Sequence, residues 1–118
     1  MAFFIPLLAG CHDDSDQLFT TAVIELVTDD GLTIDRIQAT AMLTNLNTKE
    51  TVTTSAFSGR RLAVSVLKGG YTILIEGQVR VIDTNGQVVI KNFRAYADYQ
   101  EFLDANVAPL ELKIIFMP

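Results

Sequence analysis

Tyr71-Thr72-Ile73-Leu74-Ile75-Glu76-Gly77-Gln78-Val79-Arg80-Val81 is the stretch that decides the fold class. Tyr71, Ile73, Ile75, Val79 and Val81 take every second position, and Gly77 keeps the phase. Successive side chains of an extended chain point to opposite faces, so this spacing makes one apolar face and one wetter one. A helix would instead need apolar residues at intervals of three and four. Gly77, inside such a strand, marks a bulge or bend. The strand runs into Asp83-Thr84-Asn85-Gly86, where Asn-Gly is a strong hairpin signal because both residues accept positive φ. Val88-Val89-Ile90 pairs back.

The same alternation spreads outward in both directions. Leu62, Val64 and Val66 form a strand between the turns at Ser58-Gly59 and Lys68-Gly69-Gly70. Glu50 to Phe57 is rich in threonine, and its polarity suits an edge or a solvent face. Ile37, Ala39, Ala41 and Leu43 alternate up to the turn at Asn45 to Lys49. Leu18 to Val27 opens the fold as a strand, and Thr28-Asp29-Asp30-Gly31 leads through a loop to Arg36. At the other end, Pro109 starts a last strand in which Leu110, Leu112, Ile114 and Phe116 alternate. Seven or eight short strands separated by turns predict an all-β antiparallel sandwich or small barrel.

One stretch breaks the alternation. Phe93, Tyr96, Tyr99 and Phe102 recur at every third residue. Two readings fit: a short helical turn over 96–103 with the rings on one flank, or a strand running on to Tyr96 with a loop behind it.

The segment from Gln38 to Val81, about 44 residues, resembles the prealbumin-like (Ig-like) sandwich modules, including carboxypeptidase regulatory-like and collagen-adhesin B-type domains. Ala41-Met42-Leu43-Thr44-Asn45 matches their A-x-V-x-L strand and Val52-Thr53-Thr54 their T-x-T strand. Ser58-Gly59 stands for the D-G turn, and Leu67-Lys68-Gly69-Gly70-Tyr71-Thr72 for the L-x-P-G-x-Y turn and strand. Ser58, Lys68 and the glycine pair depart from the usual residues. The resemblance implies a prealbumin-like antiparallel β-sandwich. It implies no activity. The tyrosine after the glycine turn is expected to pack its ring inside and bond its hydroxyl outward.

An apolar run from Met1 to Leu8 leads into Ala9-Gly10-Cys11, which holds the only cysteine. This resembles a bacterial lipobox, in which a small-residue pair precedes a cysteine that is lipidated and becomes the mature N-terminus. Ten residues cannot span a bilayer, which takes about 20 in a helix, whereas they suit the apolar region and cleavage site of an export signal. The expected organisation is a signal peptide over 1–10, an acidic tether over 11–17 and a β-sandwich domain over 18–118. No Lys or Arg falls between Met1 and Gly10, so the true start is expected upstream. The competing reading makes Met1 to Leu8 a core strand and Cys11 a buried thiol; Pro6 weakens it, since proline lacks the N–H a ladder needs. His12-Asp13-Asp14-Ser15-Asp16 resembles the acidic segment of lipoproteins sent to the outer face of the outer membrane in Gram-negative bacteria.

The remaining composition narrows the function. About 108 residues follow the signal, enough for one core without staples. With one cysteine, no intramolecular disulfide and no thiolate metal cluster forms. A net charge of −5 argues against nucleic acid, which calls for a basic stripe. The acidity is concentrated early, with seven of fourteen acidic residues placed by Asp35 and Arg36 the first basic one. The sole histidine, His12, lies on the tether, a poor place for preorganised catalysis. Asp29, Asp30 and Asp35 are oxygen ligands of the kind calcium takes, but their spacing fits no established loop, and a solvated turn is the better reading. Arg60-Arg61 is a solvated basic pair.

These observations predict a non-enzymatic module with no cofactor and no metal, anchored by a lipid on Cys11 in the outer membrane and exposed at the surface. Its expected partners are that membrane and other envelope proteins or glycans. Tyr96, Tyr99 and Phe102 are the candidate ligand-binding residues, with Asp98 and Gln100 as hydrogen-bond partners; the competing fate of these rings is to cap the sandwich. The leading function is accessory binding or scaffolding in a surface complex, with glycan capture as one form. The alternative is a structural or anchor subunit of a fimbria-like assembly, with Leu110 to Phe116 as an exchangeable strand.

Overall fold

The computed structural model describes residues 18–28, 32–104 and 106–117. The expected signal peptide and tether, with Cys11 and His12, and also Asp29 and Asp30, lie outside the described residues.

Among the described residues nine strands follow one another: β1 (Phe19–Val27), β2 (Thr33–Asn45), β3 (Thr51–Thr54), β4 (Phe57–Ser58), β5 (Arg61–Leu67), β6 (Gly69–Ile82), β7 (Val88–Phe102), β8 (Val107–Lys113) and β9 (Ile115–Phe116). They form two sheets, one ordered β4-β5-β1-β8 and the other β3-β2-β6-β7-β9. All pairings are antiparallel except β1 with β8. The fold is the expected all-β sandwich.

Alternation explains the packing. In β6, Tyr71, Ile73, Ile75, Val79 and Val81 are buried, and they meet Ile37, Ala39, Ala41 and Leu43 of β2 on the same face. Ala22, Ile24 and Leu26 of β1, with Leu62 and Val66 of β5, supply the opposite layer. The core is thus sealed by residues at every second position of both central sheets. The threonine-rich β3 lies at a sheet edge, as its polarity suggested.

Of the five changes of sheet among the described residues, two fall inside stretches that the sequence presents as continuous. After β3 the chain leaves one sheet at Ser55-Ala56 and enters the other as β4. After β8 it switches back at Ile114, which is buried and whose N–H donates to the Val27 carbonyl at 2.8 Å. The expected single strand from Leu110 to Phe116 is therefore split between sheets. Its alternation survives because the crossing keeps Leu112 and Ile114 turned to the same core. A segment tied into both sheets by buried residues is poorly suited to exchange between molecules.

Four further expectations need correction. Residues 93–102 form neither a helical turn nor a loop, because β7 continues as strand through Phe102. β2 starts at Thr33 rather than after Arg36, with a register slip between Ile34 and Arg36. Gly77 sits in continuous register, opposite Ala39 and Phe93. It is glycine because a Cβ there would stand 2.3 Å from the Gln38 carbonyl oxygen. The hairpin after β6 is present, but of its Asn-Gly pair only Gly86 has positive φ, at 82°. Asp83 organises the turn: its carboxylate accepts the N–H groups of Asn85 and Gln87 at 2.9 and 2.8 Å, while its own N–H donates to the Gln87 carbonyl at 2.9 Å. This is the longer hairpin with a left-handed glycine at its end.

Tyr71 behaves as its position implied. It is 2% exposed, and its ring centroid lies 5.6 Å from that of Phe102. Its hydroxyl donates to the Leu67 carbonyl at 2.7 Å, tying the start of β6 to the end of β5.

Candidate functional site

The site is built by a slip in β7. Tyr71 of β6 pairs with Gln100, whereas Ile73 pairs with Ala97. Thr72 therefore faces two residues, Asp98 and Tyr99, which is a β-bulge. Ahead of it Phe93, Ala95 and Ala97 turn inward; past it Gln100 and Phe102 do. One inserted residue thus shifts the phase by one, so Phe93 and Phe102, nine positions apart, share the core face. Tyr96 and Tyr99 are left outside, 49% and 58% exposed.

The expected ligand-binding residues consequently separate. Phe102 is fully buried and offers no face to a ligand, a correction imposed by the bulge. Gln100 is half-buried, its amide nitrogen 3.3 Å from the Glu101 carbonyl. Tyr99 leans on the backbone of Gly70, where a Cβ would come within 2.8 Å of its ring. Its hydroxyl donates to the Glu101 carboxylate at 2.7 Å. That hydrogen bond, then desolvation and the negative charge of Glu101, hold the phenol above its ordinary pKa of 10.0.

Tyr96 belongs to a different neighbourhood. The register places Met42 opposite Leu74 and Leu74 opposite Tyr96, one apolar row across β2, β6 and β7 on the outer face. Beside this row lies an open groove of about 550 Å³ that also takes in Thr72, Asp98 and Arg94. On one flank Arg94 is paired with Glu76 at 2.9 Å. On the other, the hydroxyls of Thr44 and Thr51 are hydrogen-bonded at 2.9 Å. The groove therefore offers an aromatic ring, an apolar floor and a rim of hydroxyl, carboxylate and guanidinium groups. Tyr96 and Asp98 are brought together there; Tyr99 stands apart. Met42, Leu74 and the threonines escaped the sequence because only strand register joins them.

A second groove, about 670 Å³, runs along β2 beside Ser55 and Phe57. Its carboxylates are already engaged, Asp35 with Arg80 at 2.7 Å and Glu76 with Arg94. Asp35 thus faces an arginine, and among the described residues no three Asp, Glu, His or Cys side chains converge as metal ligands. Arg60 and Arg61 both approach Glu25, at 3.0 and 3.9 Å, and remain solvent-exposed. No helix among the described residues is long and apolar enough to cross a membrane.

Comparison with known proteins finds no matching family model and no matching curated protein. Among solved structures, the chain is similar to a DUF4876 family protein from Bacteroides thetaiotaomicron VPI-5482. The TM-score is 0.53 at 12% identity, over 83% of this chain and 23% of that one. The chain thus spans about a quarter of that protein's length, and the likeness is one of fold.

Proposed function

We propose that this chain is a lipid-anchored, non-enzymatic module of the cell envelope that captures an extended glycan on the outer face of its five-stranded sheet. The observation that carries the reading is the open Met42–Leu74–Tyr96 row with Asp98, Thr72 and Arg94 around it. A sugar ring presents an apolar face of C–H groups that stacks on an aromatic side chain, and equatorial hydroxyls that pair with carboxylate, hydroxyl and guanidinium partners. A few placed polar groups around an apolar floor are the general recipe for small-ligand recognition. The groove is shallow, so affinity for a single sugar is weak and a longer chain is the better ligand.

The prealbumin-like affiliation belongs to the same proposal. Its support is the placement of the resembling segments: Ala41 to Asn45 on β2, Val52 to Thr54 on the adjoining β3, and the Leu67 to Thr72 turn leading into β6. The anchor rests on the Ala9-Gly10-Cys11 sequence, with the acidic residues behind it directing the module to the surface of the outer membrane.

Two experiments test the two parts. Titration calorimetry of the full chain in detergent micelles against oligosaccharides of several linkages should find at least one ligand whose affinity falls about tenfold or more on Tyr96→Ala, equivalent to about 1.4 kcal/mol. Tyr99→Ala should change it far less. Absence of binding across the series, or an unchanged affinity in Tyr96→Ala, refutes glycan capture at this face. Mass spectrometry of the membrane fraction should find Cys11 acylated and the first ten residues gone; an unmodified chain refutes the anchor.

A further inference from the structure

The edges of the two sheets are treated unequally. β3 and β4 are short, and β8 carries Pro109, Glu111 and Lys113. β2 ahead of β3 has its register slip with Asp35 and Arg36, and the far end of β7 has its bulge with Asp98 and Glu101. Shortness, proline, charge and bulges are the devices that keep strand edges from pairing with other chains. The start of β7, from Val88 to Ile90, has none of them.

There, β9 pairs with Phe93 and Arg94 alone, and the Met117 N–H reaches the Asn92 carbonyl at 2.9 Å. On the side away from β6, no strand among the described residues lies beside Val88 to Lys91. Antiparallel ladders alternate the direction of their backbone groups. Gln87 bonds Asp83 and Asn92 bonds Met117, so Val88 and Ile90 aim their N–H and C=O groups outward, away from β6. Val88, Val89 and Ile90 are also the only three consecutive large apolar residues that are exposed among the described residues, at 56%, 36% and 63%. Lys91, the one charge in the segment, holds its ammonium over the Phe116 ring at 5.0 Å.

We infer that this edge is a self-association site, where β7 of one copy pairs antiparallel with β7 of a second copy about a two-fold axis at Val89. The second copy is the occupant because the segment complements its own reverse. Val88 meets Ile90 of the partner, Val89 meets Val89, and Gln87 meets Lys91, so apolar faces apolar and no like charges oppose. The pairs of Val88 with Ile90 are hydrogen-bonded ones and supply four intermolecular bonds. Register also has little choice. Centring the axis on Ile90 would drive Val88 of one copy against Asn92 of the other, whose edge Met117 already holds. Centred on Val89, five residues pair with five, and each hairpin turn comes level with the end of the other copy's β9. This isologous contact closes on itself and does not propagate. Five residues a side bury far less than the roughly 1,200 Å² of a standard stable interface, so the dimer is weak.

The test uses the full chain in detergent, carrying Cys11→Ser so that a new cysteine is the only one. Val89→Cys places two thiols on the axis at a separation a disulfide accepts. Under mild oxidation it should form a covalent dimer at least tenfold faster than Thr84→Cys at the exposed turn. Adding Ile90→Lys, which puts a charge on each edge without touching the core, should abolish that advantage. Sedimentation of the Cys11→Ser chain should show a dimer fraction rising between about 10 µM and about 1 mM, and the Ile90→Lys chain should stay monomeric with unchanged circular dichroism. A single monomeric species throughout, or equal crosslinking at positions 84 and 89, overturns the inference.

Discussion

Replacing Phe102 by alanine measures the bulge in β7 directly. The ring is fully buried and packs at 5.6 Å, centroid to centroid, against Tyr71. Emptying such a site costs the transfer free energy of the lost atoms and the cavity they leave, about 3–5 kcal/mol for phenylalanine. Total stability of a domain this size is about 5–15 kcal/mol, so the variant loses a large share of it. Tyr99 is more than half exposed, and its removal should cost under about 1 kcal/mol, the scale of strand propensity and one cross-strand contact. Urea unfolding monitored by circular dichroism reads both, as midpoint shifts at an unchanged slope. The contrast is informative because strict alternation from Phe93, without an inserted residue, would turn Tyr99 inward and Phe102 outward. A large loss in Tyr99→Ala with a small one in Phe102→Ala would refute the bulge and everything built on it.

Further outcomes follow from single contacts. Tyr71→Phe deletes the hydroxyl bonded to the Leu67 carbonyl at 2.7 Å and should lower stability by about 0.5–1.5 kcal/mol, read as a lower urea midpoint. Gly77→Ala forces a Cβ to within 2.3 Å of the Gln38 carbonyl oxygen, a backbone atom that cannot swing aside. The strands must part locally, at a cost of about 1–3 kcal/mol, and the melting temperature should fall by several degrees. Tyr99 should ionise above the ordinary 10.0, and Glu101→Gln should bring it down, both followed by phenolate absorbance. Because the folded value is the raised one, this contact stabilises the fold below pH 10 and is lost as pH climbs through the raised value. A Tyr99 that titrates at 10.0 irrespective of Glu101 would contradict the observed hydrogen bond.

Much of the scaffold was legible in the sequence where period and polarity act within one strand. Tyr71 to Val81 declares its buried face through alternation, and the threonines of β3 declare an edge. Asp83 to Gly86 declares a hairpin, although the carboxylate of Asp83, which orders it, carries no periodic signal. What escaped depends on relations between strands. A bulge adds one residue and leaves only a break in phase, so Phe93, Tyr96, Tyr99 and Phe102 read equally well as a helical flank. The change of sheet at Ile114 was hidden because both halves face the same core, and alternation runs through the crossing undisturbed. Gly77 suggested a bend when the constraint was the closeness of β2. The Met42–Leu74–Tyr96 row joins three distant segments, and only register reveals that they are neighbours.

The sorting of the tyrosines by β7 and β6 can be read in one experiment, tetranitromethane nitration of the folded chain followed by peptide mapping. Tyr96 should be modified first, Tyr99 more slowly because its phenolate forms at higher pH, and Tyr71 only once the chain is unfolded. Nitration of Tyr71 at the rate of Tyr96, or protection of Tyr96 in the folded chain, would contradict the arrangement of faces on which the proposed binding surface depends.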